Sequence, residues 1–285
     1  MSNVPKTPSL PPVDGTDPEK PMGHGALTTP QVTRAKARLL RMHFEAGVGH
    51  IGGNLSAIDI LLGLHHLVLG PDDAFVLSKG HAAGALYVTL WSLGRLTDED
   101  LTTFHRDATL LSAHPPASGL PDILFATGSL GHGVSLCCGL ALARKLRGKP
   151  GRVYCLTSDG EWNEGSNWEA LIFARQQALS NLTLIVDLNG LQGFGTTSEV
   201  ADLGSLTRKF VEFGWDVDEI DGHDMHAITE SARRTSDRPR AILASTTKGH
   251  GVSFMENRME WHYLPMTQEL FEQAVREIEA ACHGD

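Results

Sequence analysis

The sequence predicts an α/β fold in which a mostly parallel β-sheet carries helices on both faces. Hydrophobic residues make up 41% and charged residues 20% of the 285-residue chain, a composition typical of a folded globular protein. Short apolar runs bounded by turn residues alternate with segments of helical periodicity, which is the pattern of a parallel sheet. The apolar runs are 153–157, 182–188, 215–220 and 241–245, and the helical segments are 164–178, 205–213 and 224–234.

The first part of the chain begins with a proline-rich segment. Residues 1–27 contain little apolar sequence, so we expect a flexible leader that cannot offset the entropy of ordering it. A helix is predicted to begin at Thr29-Pro30, with Thr29 as its N-cap, and to end at Gly47. A second helix is predicted over 56–69, a short buried strand over 74–78, and a closely packed helix over 80–94.

The remainder of the chain is expected to complete one domain. The glycines at 128, 131 and 133 predict a tight turn that opens a helix of small residues, and a closing helix is predicted over 267–281. No second domain boundary is visible after residue 28. Residues 28–285 are therefore expected to form a single domain, which is large against a typical size of about 150 residues.

Charge and cysteine content exclude several classes of protein. The net charge of -10 argues against a general binder of nucleic acid or of membrane surfaces, because both need a basic face. The four cysteines form no CxxC pair, so a zinc site or a disulfide framework is not expected. We find no stretch approaching the roughly 20 apolar residues of a membrane helix and no signal pattern. We therefore expect a cytoplasmic protein.

Polar residues close two consecutive predicted strands. Thr157-Ser158-Asp159-Gly160 ends one strand, and Asp187-Leu188-Asn189-Gly190-Leu191 ends the next. Because one strand-helix-strand crossover joins them, both ends lie on the same edge of the sheet, and Asp159 and Asn189 can converge. With the carbonyl of Leu191 they would suit Mg²⁺ and its phosphate ligands. Asp-Gly and Asn-Gly are also common turn pairs, which leaves a purely structural interpretation open.

The glycine and the helix start that follow the first of these strands favour binding of an anion. Gly160 would let the backbone approach a phosphate, and the helix that starts near Glu164 would present its N-terminal amides to it.

Further segments rich in glycine and histidine accompany these strand ends. They are Gly49-His50-Ile51-Gly52-Gly53, Phe75-Val76-Leu77-Ser78-Lys79-Gly80-His81-Ala82, Thr127-Gly128-Ser129-Leu130-Gly131-His132-Gly133, and Lys248-Gly249-His250-Gly251-Val252-Ser253-Phe254 followed by Glu260-Trp261-His262. In this order, the motifs resemble those of the thiamine-diphosphate enzymes, most closely transketolase, over about residues 30–275. The resemblance implies the three-layer thiamin-diphosphate-binding fold, with residues 28–285 as the diphosphate-binding domain, and it implies thiamine diphosphate and Mg²⁺ as cofactors.

The resemblance also implies roles for individual residues. His50 and His114 would hold the first hydroxyl and the carbonyl of the donor sugar, while His81 and His262 would face the cofactor near the diphosphate and the reacting carbonyl. By the same resemblance, His50, His114 and His262 would be the catalytic residues. Lys248 would offset phosphate charge. The remaining implied positions are Gly128, Ser129 and Leu130 under the aminopyrimidine ring, Glu164 in an acidic cluster at the subunit interface, Asp159, Gly160 and Asn189 at the diphosphate, and Asp159, Asn189 and Leu191 on the metal.

Other histidines carry no implied role. A histidine beside glycines is more often a solvated loop residue, so His132, His223 and His250 are left without a function. His43, His65 and His66 are predicted to be packing residues or to lie on helix surfaces.

The chain resembles only the N-terminal portion of full-length transketolases. The pyrimidine-binding domain, which supplies the glutamate that protonates the pyrimidine ring in that family, has no counterpart here. We therefore expect the N-terminal subunit of a split transketolase, a transferase of two-carbon ketol units that works with a separate pyrimidine-domain subunit, as a heterotetramer, on a sugar substrate.

Two departures from the family pattern bear on specificity. Ser158 stands where the family has the first glycine of Gly-Asp-Gly, and Tyr263-Leu264-Pro265 follows His262 where transketolases usually have Gly-Lys and a proline. Alternatives stay open: an alpha-type subunit of a 2-oxo-acid dehydrogenase, a dihydroxyacetone-phosphate-type or deoxyxylulose-type synthase, and a catalytically silent regulatory paralogue.

Overall fold

A five-stranded parallel sheet forms the centre of the protein, as a computed structural model of residues 27–116 and 119–281 describes it. Its strand order is β1-β2-β3-β7-β6. The strands are β1 Ala74–Leu77, β2 Val153–Ser158, β3 Leu182–Leu188, β6 Asp216–Asp221 and β7 Arg240–Ser245, with a small antiparallel pair, β4 Leu191–Gln192 and β5 Gly195–Thr196, directly after β3. The predicted parallel sheet is confirmed, and each predicted strand ends within one residue of the observed one.

Helices cover both faces of this sheet. In the described ranges the α-helices are α1 Thr29–Ala46, α2 Ile51–Gly63, α3 Ala83–Ser92, α4 Asp98–Leu101, α5 Gly133–Leu146, α6 Gly165–Gln176, α7 Thr197–Ala201, α8 Leu206–Glu212, α9 Met225–Arg233 and α10 Gln268–Ala281. A π-helical turn, Leu64–Val68, extends α2. Single 3₁₀ turns occur at Gly80–Ala82, Gly160–Asn163 and Met259–His262.

Each strand contributes to two hydrophobic cores, because successive side chains point to opposite faces of a sheet. On one face, Leu156 and Ile185 pack with residues of α1, α2, α3, α9 and α10. On the other, Cys155 and Leu184 pack with residues of α5, α6 and α8. The three-layer arrangement expected from the sequence is therefore present.

The N-terminal boundary differs slightly from the prediction. Thr28, not Thr29, is the N-cap of α1, and its backbone amide donates to Gln31 Oε1 across 2.8 Å. The predicted leader, 1–27, lies outside the described residues apart from Leu27, which packs partly buried against the core. At its other end α1 stops as predicted at Gly47, whose φ of 65° is left-handed.

The second helix starts five residues before its predicted start. Gly52 and Gly53 precede the predicted helix, but both lie inside α2. The structure gives the reason: a Cβ on Gly52 would lie 3.2 Å from Lys248 and 3.3 Å from Trp261, and one on Gly53 would lie 3.5 Å from His81. These glycines therefore allow the helix to pack closely on site residues.

The stretch Ile51–Val68 is long and apolar enough to cross a membrane by length and composition, with a mean hydropathy of 1.3 over 18 residues. The expectation that no such stretch exists was therefore too strict. However, 89% of this stretch is buried inside the protein, as in a core helix.

Candidate functional site

The ends of β2 and β3 meet at the carboxyl edge of the sheet. Asp159 follows β2, and its Oδ1 accepts a hydrogen bond from the Gly160 amide across 2.7 Å. Its Oδ2 accepts one of 2.6 Å from the amide of Gly190, which follows β3. The structure thus brings Asp159 beside the Asn189–Leu191 loop, as the crossover geometry requires.

This edge of the sheet fits a hard divalent cation. Burial and the neighbouring Asp187 raise the pKa of Asp159 to about 6, so its negative charge is incompletely compensated by the groups around it. A cation bound at the carboxylate would compensate this charge and stabilise the ionised form of Asp159. The Asn189 side-chain oxygen and the Leu191 carbonyl lie on the adjoining loop, and this all-oxygen donor set suits Mg²⁺.

A buried ion pair lies beneath the site. Asp187 and Lys79 are both fully buried and form a salt bridge. Ser56 on α2 donates to Asp187 Oδ2 across 2.7 Å, and the Thr246 hydroxyl donates to Oδ1. Burial alone would raise the pKa of Asp187, but Lys79, together with the hydroxyls of Thr246 and Ser56, outweighs it and holds the pKa below its usual value. The pair joins β1, β3, β7 and α2 at one point.

Four histidines from separate segments gather beside this edge. The His50 ring centroid lies 5.9 Å from that of His81, 6.2 Å from that of His114 and 5.1 Å from that of His262, and the last lies 5.5 Å from His81. All four side chains are half-buried. The four histidines singled out by resemblance therefore form one cluster.

These imidazoles are neutral at physiological pH. Burial lowers the pKa of each, to about 3 for His262 and well below the usual value for His81. The cation of Lys248 lowers the pKa of His262 further, and neighbouring imidazoles lower the pKa values of His50 and His114 in the same direction. A neutral imidazole offers one donor and one acceptor, which suits a sugar hydroxyl or carbonyl.

Lys248 links the histidine cluster to the sheet edge. Its Nζ lies 3.2 Å from His262 Nδ1 and 3.5 Å from the carbonyl oxygen of Leu191. Burial, together with the charge of Lys79, lowers its pKa to about 8. The ammonium is therefore held between the histidines and the loop that would bind a cation.

Two features that the sequence does not reveal, one in the backbone and one in a side chain, position the cluster. His50 caps α2 in a left-handed conformation, with φ of 65°, and its amide donates to the carbonyl of His262 across 3.1 Å. Asn54, one turn later, donates from Nδ2 to the carbonyls of His50, at 2.8 Å, and His81, at 3.1 Å. A fully buried asparagine within the apolar α2 was the available signal, because buried amides must find partners.

The glycine-rich loop 127–133 packs against the histidine cluster. Gly128 has φ of 140°, and a Cβ there would lie 2.9 Å from the His114 ring, so only glycine fits. A Cβ on Gly80 would in turn lie 2.7 Å from the Gly128 amide nitrogen. Ser129 is exposed and Leu130 half-buried, at the tip of this loop.

Glu161 ties three of the motifs together. Its carboxylate accepts hydrogen bonds from the Ser78 hydroxyl, from the Gly131 amide at 2.9 Å and from the Ser158 amide at 3.3 Å. The side chain is fully buried, and this burial raises its pKa despite those bonds. In the sequence Glu161 looked like an ordinary carboxylate in the first turn of a helix, and no local pattern distinguishes it.

Glu164 and Tyr263 lie at the rim of the site. Glu164 is exposed at the N-cap of α6, where a Cβ on Gly131 would lie 2.6 Å from its own Cβ. Tyr263 is half-exposed, its ring centroid lies 4.8 Å from that of His262, and its hydroxyl donates to the Gly193 carbonyl across 2.7 Å. This tyrosine therefore connects the histidine cluster to the β4–β5 hairpin.

Comparison with known proteins agrees with this geometry. Residues 36–279 match the family described as "Transketolase, thiamine diphosphate binding domain". The chain is 40% identical to a subunit of the apulose-4-phosphate transketolase of Phocaeicola vulgatus, with 87% of this chain and 92% of that protein covered. It is 38% identical to the 6-deoxy-6-sulfo-D-fructose transketolase subunit SqwG of Clostridium sp., with 82% and 90% covered.

Solved structures extend the same comparison. The transketolase of Campylobacter jejuni superimposes with a TM-score of 0.79 at 30% identity, over 90% of this chain and 43% of that one. The transketolase of Leishmania mexicana gives a TM-score of 0.80 at 26% identity, over 92% and 42%. The protein is a member of the transketolase family and corresponds to the thiamine diphosphate binding domain of that family.

Proposed function

We propose that this chain is the N-terminal subunit of a split transketolase, dependent on thiamine diphosphate and Mg²⁺, which transfers a two-carbon ketol unit from a ketose to an aldehyde. The observation that carries the proposal is the placement of four neutral histidines beside the Asp159 end of the sheet, with Lys248 between them. The groups that would bind the sugar and the groups that would bind the diphosphate therefore lie together at one edge of the sheet.

Asp159, Asn189 and Leu191 would hold the Mg²⁺, and Gly160 would leave room for the diphosphate beside it. When bound, thiamine diphosphate would supply a nucleophilic carbon and an electron sink for breaking a carbon–carbon bond of a ketose. Lys248 places a positive charge on this side of the site, which offsets the charge of a diphosphate. A chain of net charge -10 can thus bind an anion through local groups.

The histidines would act on the sugar. In the proposed arrangement His50 and His114 hold the hydroxyl and the carbonyl of the donor, and His81 and His262 face the cofactor. Their lowered pKa values support this role, because a neutral imidazole can both donate to a carbonyl and accept from a hydroxyl. The cluster would orient the bond to be broken and keep water away from it.

A separate chain would complete the site. Two relatives named as subunits of apulose-4-phosphate transketolases match this chain over 92% of their own length, whereas this chain spans 39% of human transketolase. We propose that a pyrimidine-domain subunit supplies the missing half, in a heterotetramer. Exposed apolar side chains on α5 and α6, namely Leu146, Ile172 and Phe173, support association with another chain. Light scattering of the co-purified chains would measure the mass of the complex.

The substrate is proposed to be a ketose that carries an anionic group. Two relatives are named for apulose 4-phosphate and for 6-deoxy-6-sulfo-D-fructose. Tyr263 replaces a family glycine at the rim and would shape the wall that this substrate meets. We also propose a cytoplasmic location, which the buried, unpaired thiols of Cys137, Cys138 and Cys155 support. Cell fractionation would test that location.

Donor preference tests the proposed activity against the 2-oxo-acid alternative. The two-chain complex, supplied with thiamine diphosphate and Mg²⁺, should cleave ketose donors and leave pyruvate unchanged. The matched variants are His50→Ala and His114→Ala, which should each lose ketose turnover by about 100-fold or more because they remove donor-positioning groups. Preferential turnover of 2-oxo acids, or wild-type rates in both variants, would contradict the proposal.

A further inference from the structure

A second group of titratable side chains lies behind the site, and the roles described above do not use it. It consists of Lys36 on α1, Asp59 on α2, His223 after β6 and His250 after β7, and we call it the Asp59 cluster. Asp59 Oδ2 lies 2.9 Å from Lys36 Nζ, 2.8 Å from His223 Nδ1 and 3.5 Å from His250 Nδ1. The two imidazoles stack, with centroids 3.5 Å apart at 20°. Three other segments therefore converge on the buried carboxylate of Asp59.

The nitrogen and oxygen atoms of Asp59, His223 and His250 lie close enough together to hold a metal ion. Two features argue for a different arrangement. The Lys36 ammonium already stands at hydrogen-bond distance from Asp59, so the cluster contains its own cation. Burial alone would raise the pKa of Asp59, but Lys36 and the two histidines outweigh it and hold the pKa below its usual value. The carboxylate is thus ionised and paired without a metal.

The partners of His223 fix its tautomer. The Thr247 backbone amide donates to His223 Nε2 across 2.9 Å, so Nε2 must carry a lone pair. The proton of the neutral ring then lies on Nδ1, which donates to Asp59 Oδ2. The opposite tautomer would set two N–H groups against each other at Thr247 and a lone pair against a carboxylate at Asp59. A metal on Nδ1 would require that opposite tautomer.

The bond to Thr247 lies in the segment that carries Lys248. On either side, the Thr246 amide donates to the Leu188 carbonyl and the Gly249 amide donates to the Gly52 carbonyl, both of them backbone groups. The Thr247 amide differs because its acceptor is a side chain. The residue directly after it is Lys248, whose ammonium stands between His262 and the Leu191 carbonyl.

We propose that His223, held by Asp59 in its Nδ1-protonated tautomer, is a positioning residue that sets the Thr247-Lys248 backbone and so aims the Lys248 ammonium into the site. The Asp59 cluster then acts as a brace between α1, α2 and the ends of β6 and β7, with Lys36 supplying the balancing charge. The group that Lys248 would face there is the diphosphate of the cofactor, and in this respect the inference rests on the proposed function.

Two variants separate the hydrogen bond that His223 makes to Asp59 from the one that it accepts from Thr247. In His223→Asn, the side-chain amide nitrogen lies near the position of Nδ1, so the bond to Asp59 is kept and the acceptor for Thr247 is lost. In His223→Gln, the side-chain oxygen lies near the position of Nε2, so the acceptor for Thr247 is kept. His226→Asn is the matched control, because the His226 side chain is 85% exposed on neighbouring α9.

The first readout needs neither cofactor nor partner. In ¹⁵N spectra of the isolated full-length chain, His223 should show a protonated Nδ1 and an unprotonated Nε2. Hydrogen exchange at the Thr247 amide should be faster by about tenfold or more in His223→Asn, and close to the wild-type rate in His223→Gln and His226→Asn. An Nε2-protonated His223, or equal exchange in all four proteins, would overturn the inference even if every variant binds cofactor normally.

The second readout is affinity for thiamine diphosphate in the two-chain complex at saturating Mg²⁺. His223→Asn should weaken it by about tenfold, in the range known for groups that orient ligands, and His223→Gln should restore most of the loss. A wild-type complex that binds no thiamine diphosphate contradicts the proposed function but leaves the spectroscopic result standing. Titration with Zn²⁺ is the competing test: stoichiometric, tight binding that Asp59→Asn and His250→Asn both abolish would replace the brace with a metal site.

Discussion

The Gly190 backbone amide donates a hydrogen bond of 2.6 Å to Asp159 Oδ2, and this bond joins the end of β3 to the end of β2. The two strands are parallel neighbours, and Ser158, the residue before Asp159, is paired with Asp187 on β3. The geometry places one buried carboxylate, two backbone amides and the Asn189 side chain around a single point.

Asp159→Ala should abolish Mg²⁺-dependent binding of thiamine diphosphate, because it removes the carboxylate ligand of the proposed metal site. We expect a loss of affinity of more than about 100-fold, beyond that typical of groups behind a metal ligand. Calorimetry on the two-chain complex measures it. Asp237→Asn is the control, since the Asp237 side chain is 91% exposed. Unchanged affinity in Asp159→Ala would show that the metal lies elsewhere.

Glu161→Ala should destabilise the fold by about 3 kcal/mol, because it leaves the buried Ser78 hydroxyl and the amides of Gly131 and Ser158 without their acceptor. Glu161→Gln should cost less, since one oxygen remains to accept. Urea unfolding gives both values, with the exposed Glu169→Ala as the control for a carboxylate of neighbouring α6. Equal stability of Glu161→Ala and Glu169→Ala would contradict the bridging role of Glu161.

His43 should make the protein sensitive to acid. Burial lowers its pKa from 6.5 to about 4, although Nδ1 lies 2.9 Å from the Gly49 carbonyl, and Nε2 is buried with no hydrogen-bond partner. As the pH falls below 6.5, His43 becomes protonated in the unfolded chain but stays neutral in the folded protein. The stabilisation is therefore complete above pH 6.5 and is lost as pH falls toward 4.

The magnitude can be checked by unfolding at two pH values. Between pH 7.5 and pH 4.5 the wild type should lose about 2.5 kcal/mol more of its free energy of unfolding than His43→Asn does. His226→Asn, altered at an exposed position, should lose as much as the wild type. Parallel losses in the wild type and in His43→Asn would mean that His43 does not titrate in this way.

Tyr263→Phe should raise KM for the sugar by about fivefold with little change in kcat, because it removes the hydroxyl that anchors the rim to the Gly193 carbonyl. Steady-state kinetics of the two-chain complex separate the two constants. Tyr154→Phe loses an equivalent bond of 3.1 Å to the Ala232 carbonyl, inside the protein, and should leave KM unaltered. The same shift in both variants would assign the effect to general loosening.

The sequence predicted those features that depend on local pattern. The strands of the parallel sheet follow from apolar runs, and the convergence of Asp159 with the Asn189 loop follows from the handedness of one crossover. The resemblance brought together His50, His81, His114 and His262, which periodicity alone could not associate.

Long-range partners escaped the sequence analysis. Glu161, which joins Ser78 to Gly131, occupies a position where any surface helix would carry a carboxylate. His223 and His250 had no role because their partner Asp59 lies more than 160 positions away in the chain. Asp187, the one charged residue of β3, gave a usable signal, since a buried charge must be paired.

We propose that this chain forms one part of a catalytic unit, the other part being a separate pyrimidine-domain subunit. The most direct test assays ketol transfer from a ketose donor, with thiamine diphosphate and Mg²⁺ present, using the chain alone and the chain co-expressed with that subunit. We predict no turnover by the chain alone and robust turnover by the pair, which Asp159→Ala abolishes. Robust turnover by the purified chain without a partner would contradict the account.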